Sequence, residues 1–158
     1  MAITLLELLL QGIPEVIAAT TLCFVLAGAG LRWAWILPIG TAQAVTIFLL
    51  RLLPLPFGVH TLVACVLFAV YLRFLQGIPV LRGFFSAFMA LVAVIVLEYP
   101  LHVFLFAVTG LSYEKAAANP LLWSLFGWPQ VVLVFVSALV IHRLREARRR
   151  PQRGGGAV

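Results

Sequence analysis

The sequence predicts an all-α polytopic membrane protein, a helix bundle with about five transmembrane helices. Of its 158 residues, 64% are hydrophobic and 10% are charged, and the mean hydropathy is +1.14. Soluble domains have about 45–50% apolar and about 25% charged residues, so an aqueous fold could not bury this much apolar surface. The apolar runs are long enough to cross the roughly 30 Å hydrocarbon core as helices. A nucleic-acid partner is excluded, because it needs a basic face on a soluble fold.

The predicted helices form one domain, residues 1–142, and a basic tail follows it at residues 143–158. Glycine, proline and charged residues between the apolar runs set the bounds of the helices. The five predicted transmembrane helices cover residues 3–29, 33–50, 57–74, 80–108 and 121–142.

The first predicted helix is interrupted near its start. Pro14, within Gln11–Glu15, has no backbone N–H to donate and therefore predicts a kink. A turn at Gly30–Arg32 separates this helix from the second one. Trp33 and Trp35 then mark a membrane interface, where amphipathic aromatic rings prefer to lie.

The connection Arg51–Thr61 divides one long apolar run into two pieces of membrane length. Pro54 and Pro56 disfavour helical backbone in the residues before them, so one helix ends before the prolines and the next begins after them. The connection is short, which places the second and third helices side by side. It also holds Arg51 and His60 next to hydrocarbon.

The fourth predicted helix, residues 80–108, is longer than a membrane crossing requires. It would extend about 43 Å at 1.5 Å per residue, against about 30 Å for the hydrocarbon core. Pro100 lies within it, and the sequence leaves open a single bent helix or a span followed by a re-entrant segment. Gly83 and Ala87 form a small-residue pair suited to close helix packing.

The fifth predicted helix follows Pro120, and the basic tail follows that helix. Six of the eleven Lys and Arg residues lie in the tail, and its glycine-rich end, residues 154–156, is expected to be disordered. Two roles fit these arginines: a topological stop signal, or contact with anionic lipid headgroups. The expected headgroup contacts are Arg143, Arg145, Arg148, Arg149 and Arg150.

The distribution of basic residues predicts an external N-terminus and a cytoplasmic C-terminus. Positively charged residues favour the cytoplasmic side of short loops. With five spans and a cytoplasmic tail, Arg51 and Lys115 lie outside, and the other nine of the eleven basic residues lie inside. The reversed topology would place those nine outside.

Five ionisable residues are predicted at membrane depth, on the outer side of the bundle. Such residues are costly in hydrocarbon and are usually paired or functional. We expect Arg51 to be neutralised by Glu98 or Glu15. Two hypotheses stay open: a structural network that fixes helix packing, or a ligand- or proton-responsive pocket open to the outside. The five residues are Glu15, Arg51, His60, Glu98 and His102.

A catalytic hypothesis rests on His60 and Cys65, because certain membrane cysteine peptidases have a histidine followed by a cysteine. An i,i+5 pair lies about 140° apart on a helix of 3.6 residues per turn, so the spacing does not align the side chains. No other residue is placed to activate the thiol. Cys23 and Cys65 have neither CxxC nor zinc-site spacing. We therefore expect buried thiols, no metal and no cofactor.

Several short motifs resemble the multi-span N-terminal region of certain bacterial sensor histidine kinases, and also small stand-alone membrane proteins. They are Gly12–Glu15, Arg51 with Leu53–Pro54, Pro56–Thr61, Pro120–Leu121 and Pro129–Gln130. The resemblance covers about residues 12–142 and implies a sensor module of the bacterial cytoplasmic membrane. The sequence has neither the phosphoacceptor-histidine helix nor the ATP-binding domain of those kinases, so signalling is expected to pass to another protein.

These features favour a non-enzymatic integral membrane sensor or accessory module that acts through a partner. The first alternative is a small-molecule transport component, a substrate-binding membrane subunit that needs a pocket and an energising partner. The second is a membrane-embedded cysteine peptidase. The expected partners are the lipid bilayer and a separate membrane or cytoplasmic signalling protein, and homo-oligomerisation stays open. The expected location is the bacterial cytoplasmic (inner) membrane.

Overall fold

The computed structural model describes residues 5–54, 56 and 58–149, with the backbone alone at the last of these. Every regular element in this part of the chain is helical. Five of these helices are long and apolar enough to cross a membrane, which confirms the predicted all-α, five-span fold. The helices are α1 (Leu5–Ala27), α2 (Trp33–Arg51), α3 (Val59–Gln76), α4 (Val80–Thr109), the short α5 (Tyr113–Ala117) and α6 (Pro120–Arg149).

Successive long helices run in opposite directions, which gives the bundle two ends of different composition. We call the end where α1 and α3 finish and α2 and α4 begin the basic end, because the chain there carries Arg32, Arg73 and Arg82. The last turns of α6, with Arg143 and Arg148, belong to the same end. The opposite end holds the start of α1 and the connection between α2 and α3, and we call it the cavity end.

α1 is the central helix of the bundle and packs against α2, α4 and α6. Each residue of its segment 18–25 is buried. α2 crosses it closely at Gly40, where an added Cβ would lie 2.8 Å from Ile17 Cγ1. The buried hydroxyl of Thr20 donates to the carbonyl oxygen of Val16 at 2.6 Å, so this polar group costs little in an apolar core.

A π-helical turn, Leu8–Gly12, lies within α1. The N–H of Ile13 donates to the carbonyl oxygen of Leu8, and this wider turn ends just before Pro14. Because Pro14 has no N–H to donate, it interrupts the regular i to i−4 ladder at this point. The structure therefore has a π-turn where the sequence predicted a kink, and such turns are frequent at functional sites.

α4 is one continuous helix of 30 residues that passes through Pro100. This answers the question that the sequence left open, in favour of a single element about 45 Å long at 1.5 Å per residue. Near its start, Gly83 and Ala87 are both buried, and a Cβ at Gly83 would lie 3.1 Å from Ala69 Cα of α3. The predicted close packing through small residues is confirmed.

α6 continues beyond the predicted boundary near His142 and ends at Arg149. The sequence-based boundary followed the change from apolar to basic residues, but arginine is a good helix former. The start of the basic tail is thus the last part of a transmembrane helix. Arg150 and the expected disorder of residues 154–156 lie outside the described residues, as do residues 3 and 57, where two of the predicted spans begin.

Candidate functional site

A cavity of about 150 Å³ lies between α1, α2, α3 and α4. Most of its lining is aliphatic, but three helices contribute polar side chains. These side chains are Glu15 of α1, Arg51 of α2, and His60 and Thr61 of α3. The structure therefore brings together three of the five ionisable residues singled out from the sequence. We call this space the Glu15 cavity.

α1 presents one face to the Glu15 cavity, and the π-turn forms part of that face. Leu8 and Gly12 of the turn line the cavity, followed by Glu15 and Ala19. Their separations of four, three and four residues place them on the same side of the helix. The absence of a side chain at Gly12 leaves room for the Leu8 side chain, since a Cβ at Gly12 would lie 3.2 Å from Leu8 Cδ1.

The connection between α2 and α3 positions the basic side chains. Arg51 is the last residue of α2 and is exposed. α3 begins after Gly58, whose φ of +91° is a left-handed conformation that favours glycine. His60 and Thr61 lie in the first turn of α3, so the short connection places them beside Arg51, as the sequence indicated.

Glu15 is the electrostatic centre of the cavity. Arg51 and Glu98 both lie within electrostatic range of its carboxylate, and the Gln11 side chain lies within hydrogen-bonding reach. Arg51 has no carboxylate within 4.0 Å among the described residues, although it lies within electrostatic range of Glu15, so its neutralisation by Glu15 or Glu98 stays a prediction. Glu15 and Arg51 thus line the same cavity without forming a contact ion pair.

Glu98 and His102 lie on α4 and do not line the Glu15 cavity. His102 Nδ1 donates to the carbonyl oxygen of Glu98 at 2.9 Å, and the imidazole ring lies 5.5 Å from the ring of Trp123 in α6. Its Nε2 is buried and has no hydrogen-bond partner within the part of the chain that the structure describes. His102 therefore belongs to an aromatic cluster between α4 and α6, with Phe106 beside it.

Three polar residues near the cavity were not singled out from the sequence: Gln11, Gln43 and Thr61. Gln43 is 0% exposed and directly precedes the cavity-lining residue Ala44. Neither its amide nitrogen nor its amide oxygen has a partner among the described residues. An unpaired amide is costly in an apolar interior, so a glutamine inside an apolar run was the signal that could have drawn attention to this position.

At the basic end, the arginines expected at lipid headgroups have different environments. The Arg145 guanidinium donates to the carbonyl oxygens of Val25 and Leu26 at the end of α1. It is therefore engaged within the protein, and its contact with lipid headgroups stays a prediction. Arg143 and Arg148 are exposed. The side chain of Arg149 and the whole of Arg150 lie outside the described part of the chain.

Both cysteines lie away from the polar residues of the Glu15 cavity. Cys23 and Cys65 are free and buried in the hydrophobic core, and Cys65 does not line the cavity that His60 lines. In the described ranges, no group of three or more His, Cys, Asp or Glu side chains could hold a metal ion. The polar side chains that line the Glu15 cavity are thus one carboxylate, one guanidinium, one imidazole and one hydroxyl.

No protein-family model, curated protein or solved structure matches this chain. The geometry of the Glu15 cavity is consequently the basis on which a function can be proposed.

Proposed function

We propose that the protein is a non-enzymatic membrane sensor or accessory module that binds a small polar ligand in the Glu15 cavity and acts through a partner protein. One observation carries the proposal: Glu15, Arg51 and His60 lie on three different helices and line the same cavity. Ionisable residues inside membrane spans are costly unless they are paired or functional. Here Glu15 and Arg51 share a cavity without a contact ion pair.

The chemistry of the lining indicates the class of ligand. Arg51 can bind a carboxylate or a similar anion through its guanidinium, while Glu15 can accept hydrogen bonds from an ammonium group or another donor. A volume of about 150 Å³ corresponds to roughly five water molecules at their liquid volume of about 30 Å³ each. A small zwitterion or carboxylic acid fits both the charges and the volume.

The proposed membrane orientation places the cavity end outside and the basic end in the cytoplasm of a bacterial cell. The nine-to-two distribution of basic residues supports it. A reporter fused after residue 156 should give a cytoplasmic signal, and one inserted beside Glu114 should give a periplasmic signal. A periplasmic signal from the first fusion would refute this orientation.

Ligand binding can be tested with the full-length protein in lipid nanodiscs. Small zwitterions and carboxylic acids are added one at a time, and the thermal unfolding midpoint is measured. A ligand at about 100 times its Kd should stabilise the folded state by about 2.7 kcal/mol. Arg51→Gln and Glu15→Gln should abolish the shift. Arg73→Gln, which changes an exposed arginine outside the cavity lining, should retain it.

Two results would contradict ligand binding in the Glu15 cavity. One is an unchanged ligand response in both cavity variants. The other is an equal loss of response in Arg73→Gln, which would assign the effect to net charge. Folded yield and unfolding cooperativity, measured without ligand, identify variants that fail for structural reasons.

A substrate-binding subunit of a transporter is the second candidate function. The observation that favours it is Gln43, a fully buried amide of α2 without a partner among the described residues, because an unpaired amide inside the bundle is costly and a substrate could supply its partner. Reconstitution with a co-encoded membrane partner would distinguish the two functions. A transport subunit would support uptake of the ligand into vesicles, whereas a sensor would change the activity of its partner without ligand flux.

A further inference from the structure

A second cavity, separate from the Glu15 cavity, is a groove of about 530 Å³ between α1, α4 and α6. Leu22 of α1 forms one side, and Phe85, Met89 and Ala93 of α4 form another. Phe85 and Met89 are 57% and 53% exposed, so the groove opens on the flank of the bundle. Among its lining residues, Arg82 is the charged one.

The Arg82 guanidinium lies at the end of the groove, beside the terminus of α1. Gly28 caps α1 with φ +85°, and a Cβ at Gly28 would lie 2.9 Å from Arg82 Nη2. The guanidinium thus lies over the end of a helix, where carbonyl oxygens and the helix dipole favour a cation. From Arg82 to Ala93, α4 advances about 16 Å along its axis at 1.5 Å per residue.

The surroundings of Arg82 favour an anionic occupant over a second copy of this chain. Four other arginines at the basic end are exposed: Arg32, Arg73, Arg143 and Arg148. The one described acid close to them in the fold, Glu146, lies 3.4 Å from His142 Nε2. A second copy in the same membrane orientation would bring a like-charged end to this position, and like charges repel.

We propose that the groove is a binding site for an anionic phospholipid, with an acyl chain along α4 and the phosphate at Arg82. Hydrocarbon matches the apolar walls at membrane depth. A phosphate matches a guanidinium, which binds it through two parallel hydrogen bonds. This site is independent of the Glu15 cavity and adds a partner at the opposite end of the bundle.

Native mass spectrometry of the full-length protein tests the proposal. Released from mixed micelles, the protein should retain phosphatidylglycerol in preference to phosphatidylcholine. Arg82→Gln should weaken retention of phosphatidylglycerol about fivefold, the change expected for one basic residue at a headgroup. Arg73→Gln, an exposed arginine that does not line the groove, should leave it unchanged.

A second variant tests the hydrocarbon part of the site. Ala93→Phe adds bulk to the groove and should reduce phosphatidylglycerol retention without a change in charge, with thermal unfolding as the check on folding. Equal retention of both lipids, or retention insensitive to Arg82→Gln and Ala93→Phe, would overturn the proposal. Competition by inorganic phosphate as effective as that by lipid would assign the site to a free anion. A dimer that Ala93→Phe dissociates would assign the groove to self-association.

Discussion

The two ends of α1 use charged side chains in different ways. At the basic end, the Arg145 guanidinium donates to the carbonyl oxygens of Val25 and Leu26. At the cavity end, Glu15 and Arg51 line a cavity but form no contact ion pair among the described residues. The first arrangement completes the hydrogen bonding of a helix terminus. The second leaves donors and acceptors for a molecule that enters the cavity.

This difference predicts which charges support folding and which support binding. Removing a partner from a buried hydrogen bond leaves a polar group unsatisfied, and that cost appears in stability. Charges that line a cavity without a contact ion pair contribute little to stability, so their replacement should mainly change ligand binding.

Arg145→Met should cause the largest loss of stability. The methionine keeps an apolar stem of similar length but donates no hydrogen bond to Val25 or Leu26. Because hydrogen bonds from charged groups contribute about 1.5–3 kcal/mol, we expect a loss in that range, measured by unfolding in detergent. Arg143→Met is the matched control, since Arg143 is exposed two residues away, and it should change stability by less than about 0.5 kcal/mol. Equal effects of the two variants would show that the contacts of Arg145 do not contribute to stability.

Gly28→Ala should cause the next largest loss of stability, and Gly77→Ala provides a matched comparison. Both glycines cap helices with positive φ, +85° and +66°, so alanine costs about 1–2 kcal/mol at either position. A Cβ at Gly77 meets open space, whereas one at Gly28 meets Arg82 at 2.9 Å. Gly28→Ala should therefore be the more destabilising variant in thermal unfolding. Equal losses would mean that Arg82 moves away freely.

The sequence was sufficient for the five spans, because each apolar run exceeds membrane length and ends at glycine, proline or charge. It was also sufficient to bring Arg51 and His60 together, since the prolines keep the connection between α2 and α3 short. Predicting that Glu15 lies near Arg51 and His60 required only the further assumption that α1 packs beside α2. These predictions depend on chain connectivity, which the sequence contains directly.

Other features depend on which helices become neighbours, and the sequence does not contain that information. The four-residue spacing places Glu98 and His102 on one helix face, but His102 packs against Trp123 of α6, and neither residue lines the Glu15 cavity. Likewise, Arg145 follows an apolar run and resembles an interfacial residue. Only the packing of α6 on α1 brings the Arg145 guanidinium to the carbonyl groups at the end of α1.

Arg51→Gln and Glu15→Gln should change stability less than either variant at the basic end. Each should shift the unfolding free energy by less than about 1 kcal/mol, because charge pairs without direct contact contribute little. The double variant measures their coupling through a double-mutant cycle. A coupling above about 2 kcal/mol, or a collapse of folded yield in Arg51→Gln, would instead support the structural network that the sequence left open.

His102→Phe should have the smallest effect. Phenylalanine keeps the ring that packs 5.5 Å from Trp123 and 6.1 Å from Phe106. It loses the hydrogen bond to the Glu98 carbonyl oxygen but also removes a buried Nε2 that has no partner among the described residues. These two changes oppose each other, so stability should change by less than about 0.5 kcal/mol, since losing both polar groups of a site can be nearly neutral.

The ligand response distinguishes the role of His60 from that of His102. In the nanodisc assay, His102→Phe should retain the ligand-induced shift in the unfolding midpoint, because His102 does not line the Glu15 cavity. His60→Phe, at a cavity-lining position, should lose it. Loss of the response in a normally folded His102→Phe protein would place His102 in the functional cluster. In that case the aromatic contact with α6 would belong to the ligand site and would transmit binding at α1 to α6.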